Sequence, residues 1–122
     1  MSGIGNDLRL LDGCICPNYN ITFQCTTTGG GITVWQGSAF HCPQSSDEIA
    51  LRHAQFLESV GVCNDGAICA HADSILSPDC FISNLTVYIT PALDGRTVRC
   101  EYDNGITVTL VRSFTLNITK SE

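Results

Sequence analysis

At 122 residues, 43% of them hydrophobic, the chain has the length of one domain with material for a core. Its net charge of −6, with only 15% charged residues, leaves no basic stripe to neutralise phosphates, which argues against a nucleic-acid or anionic-membrane partner. Eight cysteines and three Asn-x-Thr acceptors, at Asn20, Asn84 and Asn117, point to an oxidising, secretory environment. No apolar run is long enough to span a bilayer, and no signal-peptide core opens the chain. The polar start Met1-Ser2-Gly3 reads as the beginning of a mature ectodomain fragment whose parent chain is anchored in the membrane.

In chain order, residues 1–13 are expected as an arm, with Leu8, Leu10 and Leu11 offering a first edge strand. The folded domain then covers 14–119 and a short tail covers 120–122. Pro17, after Cys14-Ile15-Cys16, ends or bulges any ladder there. From Asn20 to Cys25 the chain alternates, with Ile21, Phe23 and Cys25 on one face, the pattern of a half-buried strand. Gly29-Gly30-Gly31 turns the chain into Ile32–Gln36, a strand with Trp35 inward. More than thirty residues follow before the next clear strand. Within them, Ile49, His53, Phe56, Leu57 and Val60 fit a helical stripe capped by Ser46-Asp47, while Ile49, Leu51 and His53 fit a strand equally well.

Cys63-Asn64-Asp65-Gly66 is a turn, Ala67–His71 a short strand, and Ser77-Pro78-Asp79 a second turn. Leu85, Val87 and Ile89 alternate with polar neighbours through Thr90, and Asp94-Gly95 marks a corner into a strand with Val98, Cys100 and Tyr102 facing the core. The hairpin at Asp103-Asn104-Gly105 has two readings. A two-residue turn places Thr107 and Thr109 on the face of Cys100 and exposes Ile106, Val108 and Leu110. A three-residue loop pairs Tyr102 with Ile106 and turns Val108 and Leu110 inward, and is the preferred reading because it buries the apolar set. The last strand continues through Phe114, Leu116 and Ile118, with Arg112 marking a bulge or strand switch.

Cys25, Trp35, Leu85-x-Val87, Asp94-Gly95 and Cys100 together resemble the immunoglobulin superfamily, variable-like or intermediate set, over Cys14 to Thr119. A narrower likeness, to domains of surface receptors in early-branching animals such as sponges, lies in Val34–Pro43, Glu48–His53 and Cys63–Ile68. The resemblance implies an all-β, disulfide-stapled sandwich in which Cys25 and Cys100 bridge the two sheets under Trp35. It also implies that the long excursion after Gln36 carries added strands C′ and C″, which favours strand over helix at Ile49–His53. The sequence departs from the family at Val98, which stands where a tyrosine would anchor the corner before Cys100. It also lacks the Phe-Gly-x-Gly motif of the last strand. Covalent clips are expected to stand in for the missing corner bond.

Among the remaining cysteines, Cys42 with Cys63 would clip the excursion. Cys69 with Cys80 would bridge a hairpin and leave Cys14 to bond Cys16 across one residue, a strained geometry. Alternatively one N-terminal cysteine bonds Cys69 or Cys80, and the other serves an interchain bond. A zinc set of Cys63, Cys69, His71 and Cys80 matches no common spacing, and thiols in an oxidising compartment prefer disulfides. Ser45, Ser46, Asp47 and His53 carry no nucleophile-elbow context, and His41 and His53 read as surface or packing residues. No enzyme activity, metal or cofactor is expected.

The expected role is therefore extracellular recognition or adhesion by a cell-surface receptor, binding a protein ligand or a second copy of itself. The interface would be the GFCC′ sheet, through Val34, Gln36, Thr97, Arg99, Glu101, Thr107 and Thr109, with Val111 beside them. Asn20 and Asn84 fall on the opposite sheet and Asn117 at the far end of the last strand, so sugars would leave that face clear. Other readings are a spacer in a longer ectodomain or a lectin-like module.

Overall fold

Strands that alternate apolar and polar residues must bury one face each, and here they do so as two antiparallel sheets packed on each other. The computed structural model describes residues 6–28, 31–37, 49–54, 58–62, 68–75 and 80–118. Its strands are β1 (Asp7–Leu10), β2 (Asn20–Thr27), β3 (Ile32–Gly37), β4 (Ile49–His53), β5 (Ser59–Val62), β6 (Ile68–Ile75), β7 (Phe81–Tyr88), β8 (Thr97–Asp103) and β9 (Val108–Thr115). One sheet runs β1-β2-β7-β6-β5 and the other β4-β3-β8-β9. No helix among the described residues is long and apolar enough to cross a membrane.

The core is supplied by the inward sets read above: Ile21, Phe23 and Cys25 on β2, Leu85 and Val87 on β7 with Ile89 just past it, and Val98 and Cys100 on β8. Cys25 bonds Cys100 across the sheets, at a sequence separation of 75. Trp35, fully buried, pairs in register with Cys100, and its indole N–H donates to Ser83 Oγ at 2.8 Å. Ser83 pairs with Cys25 in its own sheet, so the indole reaches from one end of the disulfide to a hydroxyl beside the other. The same Ser83 Oγ lies 2.5 Å from Nδ1 of buried His53, whose ring meets Phe81 edge-on at 5.3 Å. His53 is thus a packing residue.

Ile49–His53 is a strand, β4, paired with β3. The expected C″ strand beyond it is corrected: β5 joins the opposite sheet, beside β6. Gly61 is buried opposite Ala70, and two small residues let that edge strand seat closely, while Ser59 Oγ donates to Arg52 O at 2.5 Å and ties it back to β4. Gly37 has φ +137°, and a Cβ there would meet the Thr97 carbonyl oxygen at 2.2 Å, so only glycine lets β3 lie so near β8 at this point.

The preferred hairpin register is also corrected. Asp103 pairs with Val108, Tyr102 with Thr109 and Glu101 with Leu110, which leaves a four-residue connection, Asn104 to Thr107. Asn104 Oδ1 accepts from the N–H groups of both Ile106 and Thr107 at 2.9 Å, and Gly105 takes φ +92°. The tip is built by this side chain rather than by burial of Val108, which a register argument alone does not weigh. The register then slips between Cys100 and Glu101, because Cys100 pairs with Arg112 and Val111 is the extra residue. The bulge expected at Arg112 falls one position earlier.

The corner before β8 is hydrogen-bonded after all. Asp94 Oδ1 accepts from Ile118 N at 3.0 Å, and backbone bonds join Gly95 N to Leu116 O and Leu116 N to Arg96 O. Asp94 thus ties this corner by hydrogen bonding, where covalent clips were expected to do so.

Ser83→Ala leaves the indole N–H without its acceptor in the core, and is expected to lower stability by about 1–3 kcal/mol. Urea unfolding measures this, and an unchanged midpoint would contradict the role given to Ser83.

Candidate recognition face

The outer face of β4-β3-β8-β9 is built by period two. β4 contributes Ala50 and Arg52, β3 contributes Ile32, Val34 and Gln36, and β8 contributes Thr97, Arg99, Glu101 and Asp103. Before the bulge β9 adds Val108 and Leu110 opposite Asp103 and Glu101, and after it Ser113 and Thr115 opposite Arg99 and Thr97.

A belt of polar contacts crosses the middle. The Arg52 guanidinium reaches over β3 to the Asp103 carboxylate, Arg99 Nη2 donates to Gln36 Oε1 at 3.0 Å, and Arg99 Nε lies 3.7 Å from Glu101 Oε2. Val34 sits between Arg52 and Glu101 in register and is only 2% exposed. It is therefore corrected from a contact residue to the floor of the face. Two cations and two anions form this belt, so it is neutral as a set on a chain of net charge −6. The acidic excess lies elsewhere.

Beside the belt runs an apolar row. Val108 and Leu110 are each 54% exposed, and Ile106 at the hairpin tip is 90% exposed. These three were not among the expected contact residues, and Thr107 and Thr109 were. The four-residue connection has the same parity as the two-residue turn, so Thr109 pairs with Tyr102 on the inner side and Thr107 belongs to the hairpin tip. Val111, the bulged residue, packs partly against the core. Gln36, Thr97, Arg99 and Glu101 remain on the outer face, each half-buried. The signal that would have found the row is Asn104 followed by two backbone N–H groups within its reach, an arrangement that favours the longer tip.

The hairpin tip is held by side-chain hydrogen bonds. Asp103 Oδ1 accepts from Gly105 N at 2.8 Å while its other oxygen faces Arg52. The Gly105 N–H first, and the Arg52 guanidinium second, hold the Asp103 carboxyl below its ordinary value.

Of the three Asn-x-Thr positions, Asn20 and Asn84 lie away from this face. Asn20 pairs with Tyr88 and Asn84 accepts from Gln24 Nε2 at 3.2 Å, both on the outer side of the other sheet. Asn117 is exposed between buried Leu116 and Ile118, past the end of β9.

Cys42, Cys63 and the Cys69 side chain, and with them the Cys42–Cys63 clip, the Cys69–Cys80 bridge and the zinc set, lie outside the described residues, as do His41, Ser45, Ser46 and Asp47. Cys80 is half-buried at the entry to β7. Cys14 is bonded to Cys16 with Cα atoms 5.4 Å apart. The sequence matches no model of a known protein family and no characterised protein.

The lowered Asp103 value gives a pH dependence. A carboxylate held lower in the folded state than in the unfolded chain adds stability above its unfolded pKa, and that contribution is lost as pH falls through the folded value. Asp103→Asn is therefore expected to be less stable than the parent at neutral pH, with the difference closing in strong acid. Thermal melts across that range read it, and a difference that stays constant would contradict the assignment.

Proposed function

We propose that the chain is an immunoglobulin-type, variable-like domain of a cell-surface receptor or adhesion protein. It works outside the cell by binding a protein partner through the outer face of β4-β3-β8-β9. The inter-sheet Cys25–Cys100 bond with Trp35 on it supports the fold reading, as do the sheet orders, which fit strands A-B-E-D and C′-C-F-G with β5 as an addition to the first.

One observation carries the functional reading: the exposed row Ile106, Val108 and Leu110 beside a neutral, internally paired charge belt, on the sheet face turned away from Asn20 and Asn84. Apolar side chains half or more exposed on a hydrogen-bonded hairpin offer area at little ordering cost, and charges already paired lose less when a partner excludes water. Sugars on Asn20 and Asn84 would keep the other sheet from close contact. Catalysis has no comparable support, and Trp35, being buried, gives no platform for stacking a sugar.

The test is a screen of the multimerised domain, itself included, against arrayed extracellular proteins. A protein ligand is expected whose binding is lost with Leu110→Arg and kept with Val60→Arg, an exposed position on the opposite sheet. A charge in the centre of an apolar contact removes at least about 2 kcal/mol, or some thirtyfold in affinity. Binding that survives Leu110→Arg, or that fails with Val60→Arg, would overturn the interface.

A further inference from the structure

The two disulfides of the described residues differ in kind. Cys25–Cys100 is fully buried and closes a loop of 75 residues, so its loss returns a large chain entropy to the unfolded state. Cys14–Cys16 spans a single residue, and Cys14 is exposed while Cys16 is half-buried. Closing so short a loop restrains the unfolded chain little.

The segment around this bond is also held without it. On one side Leu11 N donates to Thr22 O at 2.9 Å and Thr22 N to Asp12 Oδ2 at 2.6 Å. On the other, Asn18 N donates to Ile89 O at 2.7 Å and Ile89 N to Tyr19 O at 2.9 Å. Ile15, between the two cysteines, is 7% exposed and belongs to the core. These anchors hold the two sulfurs near each other whether or not they are joined. An open pocket of about 400 Å³, lined by both cysteines with Asp12 and Tyr19, gives a reactant access to the bond.

We propose that Cys14–Cys16 is a thiol–disulfide exchange site that takes extracellular thiols as its substrates. A thiolate attacks Sγ of Cys14, the more exposed residue of the pair, forming a mixed disulfide there, and the electron pair of the broken bond leaves on Cys16 Sγ as a thiolate. A second thiolate attacks the substrate sulfur of the mixed disulfide and releases Cys14 as a thiolate. Two substrate thiols are thereby oxidised to a disulfide, the cysteine pair is reduced to a dithiol, and the protons of the substrate thiols pass to solvent and the new thiols. The buried Ile15 keeps the dithiol placed for reoxidation by the reverse exchange with a disulfide. Asp12, on the same pocket, makes the approach of anionic thiols the slower one.

The test incubates the native protein with reduced glutathione, quenches with an alkylating agent, and maps labelled cysteines by peptide mass spectrometry while near-UV circular dichroism follows the fold. Cys14 and Cys16 are expected to label at least about tenfold faster than Cys25 and Cys100, with the tertiary signal unchanged, because access governs exchange rate. With oxidised glutathione, Cys14 in Cys16→Ser is expected to form the adduct faster than Cys16 does in Cys14→Ser. Labelling of all four cysteines together, labelling of Cys14 and Cys16 only as the tertiary signal is lost, or faster reaction at Cys16 would overturn the proposal.

Discussion

Everything else in the domain is arranged about the contact of Trp35 with the Cys25–Cys100 bond. The disulfide sets how far apart the two sheets stand, and the indole fills the space that this separation leaves beside it. Because the indole carries one polar atom, the core must also supply an acceptor, and Ser83 does so from the strand next to Cys25. That same hydroxyl meets His53 at the end of β4, so the outermost strand of the four-stranded sheet is tied to the centre of the opposite one. A buried polar chain of this sort specifies a single arrangement more strictly than apolar packing alone.

From that centre the outer face follows through two local devices. Asp103 and Asn104 use their side chains to close a four-residue tip, which sets the parity of β9 so that Val108 and Leu110 point to solvent. The bulge at Val111 then reverses the parity, and Phe114, Leu116 and Ile118 turn into the core. Arg112, on the inner side of this edge strand, reaches out to the Leu8 carbonyl at 3.1 Å and lies 3.5 Å from the Asp7 carboxylate, closing the gap between β9 and β1. One strand thus presents apolar side chains to solvent with its first half and packs on the core with its second.

The fold was legible wherever burial alone decides a residue's place. Ile21, Phe23, Cys25, Leu85, Val87, Val98 and Cys100 alternate with polar residues, and no other register buries them. The candidate site was less legible, for a definite reason. An uninterrupted β9 of period two would put every even residue from 108 to 118 on one face, and burying Val108 and Leu110 looked the better solution. What decides against it is a hydrogen-bonding choice by Asn104 and a bulge, neither of which leaves a mark in hydrophobic periodicity. Val34 misled in the opposite sense. Its parity places it outside, but Arg52 and Glu101 flank it in register and it is buried all the same. The placing of β5 likewise depends on Gly61 fitting against Ala70, a close approach rather than a pattern.

The central claim is the split of β9 into an outward and an inward half, since both the exposed apolar row and the edge of the core rest on it. Carbene footprinting of the isolated domain, read residue by residue by mass spectrometry, measures that split directly. Strong labelling of Ile106, Val108 and Leu110 with protection of Leu116 and Ile118 is the predicted result. Protection of Val108 and Leu110 at the level of Leu116 would contradict it, because the strand would then run through Val111 without a change of face.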